Sequence, residues 1–246
     1  NAVTGNLTYT LAANANGVAN VSVVLTDDGG TANGGDNTFA TQTFTITVNA
    51  VNDEPTFVKG LDQTINEDAG AQTVVGWATS INKGAANESA QVLTFTLTNT
   101  NNSLFSVQPS INAGTGTLTY TPAAGASGTA TVTVVLSDDG GTANGGDNSS
   151  TQTFVITINS VNDEPSFVKG ANQTVNEDAA AQNVVGWATS INKGAADETG
   201  QTLTFTVTND NNSLFSVQPA INAVTGNLTY TLAANANGVA NVSVVL

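Results

Sequence analysis

A tandem repeat of 110 residues constrains this chain more than any other feature. The stretch VNDEPTFVKG at residues 51–60 returns as VNDEPSFVKG at residues 161–170. Aligned at that offset, residues 51–136 and 161–246 are identical at 65 of 86 positions, and residues 1–25 recur without change at 222–246. Copies this similar must fold alike, so the chain is an array of one structural unit. The arithmetic gives residues 1–50 as the C-terminal part of one module, 51–160 as a complete module, and 161–246 as the N-terminal part of a third that lacks its last strands. Two readings of the ragged ends stand open. The chain is a window onto a longer array, or the third module is completed by a strand from another subunit, residues 26–50 being the kind of segment it lacks.

Within 51–160 the apolar residues alternate. Leu93, Phe95 and Leu97 alternate with Thr94, Thr96 and Thr98; Val132, Val134 and Leu136 share a face, as do Phe154, Ile156 and Ile158. Period two over short runs predicts half-buried strands. Further strands are expected near 56–58, 63–65, 74–78, 104–107 and 117–121, between clusters of Asn, Gly, Ser and Pro. Seven or eight short strands in about 110 residues, with no amphipathic helix, predict an all-β chain of antiparallel β-sandwich modules arranged end to end. Trp77, its repeat Trp187, and Tyr120 lie inside these patterns and read as core residues.

Charge and composition narrow the function. Nineteen acidic residues face four lysines, Lys59, Lys83, Lys169 and Lys193, with no arginine or histidine, for a net charge of -15. Nucleic-acid binding depends on Lys and Arg displacing counterions, so it is excluded as a role. The absence of Cys and His removes disulfides, thiol nucleophiles and imidazole bases, and the expectation is that the chain is not an enzyme. Glu67 and Asp68 are adjacent acids, but neighbours on a strand point to opposite faces, which rules them out as a glycosidase pair. No apolar run approaches the ~20 residues of a membrane span, so no membrane insertion is expected in this segment. Lys59 near the first strand and Asn159 near the last raise the question of an isopeptide crosslink, but they read as an exposed lysine and a strand-ending asparagine. The sequons at Asn6 and Asn148 are of the kind that arises by chance in an Asn- and Thr-rich chain.

The acids gather at strand ends and joins. They occupy Asn52-Asp53-Glu54, Asn66-Glu67-Asp68, Glu88, and the run SDDGGTANGGDN at 137–148, which returns as TDDGGTANGGDN at 26–37. Oxygen donors from several loops meeting at one end of a sandwich are what Ca2+ takes. These residues, with SLFSVQPSINAGTGTLTYTP at 103–122 and VVLSDDGGT at 134–142, resemble the cadherin-like and Ig-like tandem modules of large bacterial surface proteins.

The resemblance covers essentially the whole chain and implies Ca2+ at the junctions between modules, where it stiffens the array. Carried over residue by residue, it implies Asn52 and Asp53 as linker ligands, Glu67 as the early-strand glutamate, Glu88 as the mid-module acid and Asp139 as the Asp-Gly aspartate. Asn162, Asp163, Glu177, Asp197 and Glu198 match in the following copy, and Asp28 in the first fragment. One departure is that Asn87 stands where the next copy has Asp197. Another is the missing Leu-Asp-Arg-Glu motif of animal cadherins. The implied role is an extracellular, cell-surface or secreted stalk or filament serving adhesion or matrix assembly. Its implied partners are neighbouring copies of the module, in cis or as a homopolymer, and surface glycans or other cells. A carbohydrate-binding surface module is the alternative. In the run 137–148, Asp147 reads as a turn residue beside glycines. The sharpest open question is whether Asp139 joins Asn52, Asp53 and Glu88 around one ion.

Overall fold

The structure is a computed structural model that describes all of residues 1–246. It is all-β, with eighteen strands, six short 3-10 turns and no α-helix. In residues 1–50, β1 (Gly17–Val23) and β2 (Gln42–Val48) form a two-stranded antiparallel hairpin with no second layer. The sandwich of 51–160 follows. Its strands are β3 (Thr56–Val58), β4 (Gln63–Asn66), β5 (Gln72–Val74), β6 (Thr79–Asn82), β7 (Thr94–Asn99), β8 (Phe105–Ile111), β9 (Leu118–Pro122), β10 (Gly128–Ser137) and β11 (Ser149–Asn159). Residues 161–246 carry β12 (Ser166–Val168), β13 (Gln182–Val184), β14 (Thr189–Asn192), β15 (Thr206–Asn209), β16 (Phe215–Ile221), β17 (Leu228–Leu232) and β18 (Val242–Val245).

In the sandwich, one sheet runs β4-β11-β10-β7 and the other β5-β9-β8, with β3 and β6 paired beside them. All pairs are antiparallel except β4 with β11. Alternation decides which side chains point inward. Ala130, Val132, Val134 and Leu136 of β10 are wholly buried, and Phe154, Ile156 and Ile158 of β11 lie beside them against Leu118 and Tyr120 of β9. The intervening threonines face out, where their β-branching suits an exposed strand surface.

Trp77 is core, as its pattern predicted. It is 3% exposed, its indole N–H donates to the Leu61 carbonyl at 2.9 Å, and its ring centroid lies 4.3 Å from that of Phe154. A Cβ on Gly60 would sit 2.6 Å from that indole, so only glycine lets the chain pass there. The strand expected over 74–78 ends earlier, at Val74, because Gly76 at φ +64° turns the chain inward with Trp77. After Ala78, residues 79–82, TSIN, form β6, which pairs with β3. One inward apolar residue, Ile81, gave no alternation to read, and the module has nine strands rather than seven or eight.

The isopeptide question closes here. The Lys59 ammonium bonds the Thr153 carbonyl, and the Asn159 amide bonds Asn66 Oδ1 at 3.4 Å. Six residues along β11 separate the two partners by about 20 Å, so the lysine and the asparagine do not meet.

Residues 161–246 repeat the sandwich without a counterpart of β11, and the effect can be read position by position. Val132 is 0% exposed, whereas Val242, 110 residues later, is 43% exposed. Gln63–Asn66 is a strand, but residues 173–176, QTVN against QTIN, have no strand partner and are irregular. Fifteen buried residues make the core of 51–160, against four in 161–246. Residues 173–176 have no ladder, and β18 pairs on one edge only, with β15.

Candidate metal centre

The run 137–148 joins β10 to β11 and folds back over the entry to the module. Left-handed backbone at Gly141 (φ +79°), Asn144 (φ +58°) and Gly145 (φ +86°) makes the reversal. Asp147 serves the turn, its Oδ1 accepting the Ser149 N–H at 3.3 Å, while its own N–H donates to the Asn52 carbonyl at 3.0 Å.

Around Asn52, Asp53 and Glu88 the structure builds a hydrogen-bonded clasp. Asn52 Nδ2 donates to Asp138 Oδ1 at 2.9 Å and to the Asp147 carbonyl at 2.6 Å, and Asn52 Oδ1 accepts from Gln91. Glu88, 4% exposed, accepts the Asp53 N–H at 2.8 Å through Oε1 and the Ala85 N–H at 2.8 Å through Oε2. This is the back-reaching half of a capping box, at the end of the single turn Ala86–Glu88. Asp139 does not join them; its Oδ1 accepts the Val92 N–H at 2.8 Å. Asp138, not Asp139, meets the linker. The adjacent aspartates are indistinguishable by type, and strand alternation at the end of β10 decides which one turns inward.

A second arrangement lies where 51–160 meets 161–246. Glu67 is 4% exposed; its Oε1 accepts the Val161 N–H at 2.5 Å, and its Oε2 is buried with no hydrogen-bond partner. From the following module, Asp163 N–H donates to Glu198 Oε1 at 2.7 Å, and Glu198 Oε2 accepts the Ala195 N–H at 3.0 Å. Asn162 Oδ1 accepts from Gln201 at 2.8 Å. Contact across the junction runs through Ser127, whose hydroxyl donates to Asp197 Oδ2 at 2.6 Å.

The electrostatics of this junction are unbalanced. Partial desolvation, then the carboxylates of Glu198, Asp68 and Asp197, push the Asp163 carboxyl above its ordinary value. Hydrogen bonds from Ser127 and then Ser160 hold Asp197 below its own. Glu198 and Asp197 belong to the same module as Asp163, so only the Asp68 share of the raise bears on docking. That repulsion is absent below the ordinary aspartate range and is felt as pH rises through the raised value. A lowered pKa means that the contribution of Asp197 is present above the ordinary range and is lost as pH falls through its depressed value. Docking of the two modules should therefore be tightest near about pH 4 and loosen toward neutrality. Small-angle scattering from pH 3 to 7 in chelator checks this, with Asp163→Asn expected to flatten the neutral side; an unchanged profile in that variant refutes the assignment.

The remaining candidates stand apart. Asp28 is exposed on the loop of the β1–β2 hairpin, and Glu177 is exposed at the far end of 161–246, where Asn237 Nδ2 donates to it at 3.2 Å. Residues 1–50 align with 112–160 and so do not include the positions equivalent to Glu67 and Asp68. The second junction pairs Ser127 with Asp197, where Asn16 and Asn87 occupy the same positions at the first.

As a test of fit to a divalent cation, the second junction supplies hard oxygens, a buried unpartnered carboxylate oxygen on Glu67, and an Asp163 carboxyl already burdened by three neighbours. No group of three acidic side chains closes tightly enough on one point to hold an ion as the side chains stand. The clasp at 51–54 also leaves a buried carboxylate oxygen, Asp138 Oδ2, without a partner, while both oxygens of Glu88, like those of Glu198, and one of Asp139 already hold backbone N–H groups.

Residues 52–158 match the family model described as a bacterial Ig domain, over a span that coincides with the nine-stranded sandwich. The complete module is similar to a bacterial Ig domain. Among solved structures the chain resembles mouse cadherin-23 EC22-24 at 16% identity and a TM-score of 0.42, covering 87% of this chain and 63% of that one. It resembles human CDH23 EC21-23 at 16% identity and a TM-score of 0.39, covering 79% of this chain and 59% of that one. The chain thus spans about three fifths of the cadherin fragments it resembles. No curated protein matches it at a significant level. No helix is long and apolar enough to cross a membrane. An Ig-like sandwich of this type accords with a structural or adhesive role.

Proposed function

We propose that the chain is a non-catalytic, extracellular structural array whose Ig-like modules act as spacers in a stalk or filament, with Ca2+ bound at the junction between 51–160 and 161–246. The observation that carries this reading is Glu67 Oε2, buried without a partner on a side chain that bonds the Val161 N–H, two residues before Asp163, whose carboxyl is repelled by Glu198, Asp68 and Asp197. A buried, unpaired carboxylate oxygen is costly, and a hard divalent cation satisfies it and offsets the repulsion in one step. Glu67, Asp68, Asn162, Asp163 and Asp197 are the residues that would hold the ion, while Glu198, like Glu88, keeps both oxygens on backbone N–H groups.

Near-identical modules supply length and repeated contacts rather than differentiated ligand sites, which supports a spacer. Neighbouring copies of the module are its proposed partners, with surface glycans or other cells as adhesive targets. A sugar-binding module gains no support, because Trp77 and Tyr120 are sealed in the core rather than displayed on a face. The lack of any imidazole or thiol agrees with a non-catalytic role.

Thermal melting with calcium and with chelator tests the proposal. Calcium should raise the melting temperature by several degrees and lengthen the particle in small-angle scattering, and Glu67→Gln should remove most of both effects. An unchanged melting temperature together with unchanged dimensions would sink the calcium assignment.

A further inference from the structure

The loop between β10 and β11 carries an Asn-Gly step, Asn144-Gly145, both exposed, in the arm that folds over the entry to the complete module. Asn144 sits in left-handed backbone at φ 58° and ψ 22°, and the same run at 26–37 puts Asn33 at φ 57° and ψ 27°. The arm is tied to the incoming linker at three points. Asn144 Nδ2 donates to the Ala50 carbonyl at 3.3 Å, the Asp147 N–H donates to the Asn52 carbonyl at 3.0 Å, and Asn52 Nδ2 donates to the Asp147 carbonyl at 2.6 Å. Between them Gly146 packs so closely that a Cβ there would sit 2.9 Å from the Asn52 nitrogen.

We propose that Asn144 is a site of spontaneous covalent modification, guarded by this clasp and converted to isoaspartate when the arm lifts off the linker. The chemistry needs only water. The Gly145 nitrogen gives its proton to solvent hydroxide and attacks Asn144 Cγ. The new N–Cγ bond closes a five-membered imide as the Cγ–Nδ2 bond breaks, and the side-chain nitrogen takes up a proton and leaves as ammonia. Water then adds to one of the two imide carbonyls. Cleavage between the nitrogen and Cγ gives aspartate, and cleavage between the nitrogen and the Asn144 main-chain carbonyl carbon gives isoaspartate. The sum is asparagine plus water to acid plus ammonia, with no change of oxidation state. Glycine at the following position makes the attack accessible, because a Cβ there would crowd the approach.

The folded loop holds the reacting groups apart. A five-membered ring needs the Asn144 side chain and the Gly145 nitrogen on the same side of the Cα–C bond, and at ψ 22° that nitrogen points away from Cβ. Rotation about this bond swings residues 145–147 and breaks the two bonds between Asp147 and Asn52, while the amide itself is held by Ala50. Reaction therefore follows the population of locally opened arms. The product does not restore the clasp. A carboxylate has no proton to give the Ala50 carbonyl, a methylene has entered the main chain, and a further negative charge joins a loop that already carries Asp138, Asp139 and Asp147. An opening that ends in reaction thus leaves the module entry permanently looser. The site lies at the entry clasp and requires no cation, so it is independent of the calcium reading.

The test follows the 246-residue chain over time by peptide mapping with electron-transfer fragmentation, which separates isoaspartate from aspartate at residue 144 and scores a mass gain of about 1 Da. In urea above the unfolding midpoint Asn144 should convert readily, and Gly145→Ala should slow it there. In the native wild-type chain conversion should be slower by about tenfold or more, because the closed arm is the brake. Asn52→Ala, which unties the arm, should recover most of the urea rate in a chain that circular dichroism shows still folded. Should that variant not fold, the wild-type rate in urea below the midpoint should rise in step with hydrogen exchange at the Asp147 N–H. A native rate equal to the unfolded rate, or one that neither Asn52→Ala nor urea below the midpoint raises, overturns the proposal.

Discussion

Phe154→Ala should lower the stability of the complete module by about 3–5 kcal/mol, whereas Phe44→Ala should leave it unchanged. The two phenylalanines occupy equivalent positions of β11 and β2. Phe154 is 2% exposed and packs on the Trp77 indole at 4.3 Å, so truncation leaves a cavity under a ring that cannot follow. Phe44 is half-exposed in a hairpin with no opposing sheet, and truncation there removes contact with solvent-facing neighbours only. Urea unfolding followed by Trp77 emission, in a Trp187→Phe background, measures the difference. Equal effects from the two substitutions would mean that residues 1–50 share a core with 51–160, contrary to the sheet arrangement.

Glu88→Ala should cost about 3 kcal/mol, and the cost should be the same with calcium and with chelator. The carboxylate is buried and holds two backbone N–H groups, one at the module entry and one at the turn before it. Removing it leaves both donors inside without a partner, which is dearer than the loss of an exposed charge. Glu88→Gln keeps one amide oxygen to accept and should recover part of the loss. The independence from calcium separates this residue from Glu67, whose replacement should act mainly through the cation. Urea midpoints in the two conditions give the comparison. A Glu88→Ala penalty that disappears in chelator would reassign Glu88 from clasp to ligand.

Much of the architecture was legible because alternation is a local property. The faces of β7, β10 and β11 follow from Phe95, Val134 and Ile156 and their threonine neighbours, and the repeat extends that assignment to the other copies. β6 was not legible, since TSIN has one inward apolar residue and owes its strand geometry to pairing with β3. The same dependence explains residues 173–176, whose sequence nearly matches that of β4 but which form no strand without a partner. Strand state in such short segments is a property of the ladder, not of the residues.

The candidate site was legible in its residue types and less so in its groupings. Acids at the joins marked both poles of the module, but Asn52 meets Asp138 rather than Asp139, and Glu88 holds backbone rather than facing an open site. Gln91, Ser127 and Asp68 carried no signal beyond their recurrence or their place beside Glu67. They matter because loops far apart in the chain converge at a pole.

The sequence by itself determined that this chain is a β-sandwich array of one repeating unit, rich in acid at its joins and without the side chains of common catalysis. Periodicity, repetition and composition suffice for those statements because each depends on residues near one another in the chain or on totals. Only the tertiary structure decided which carboxylates are already occupied by N–H groups and which, like Glu67, have a buried oxygen left over. That depends on where segments 35 to 94 residues apart in the chain meet, and no local pattern records it.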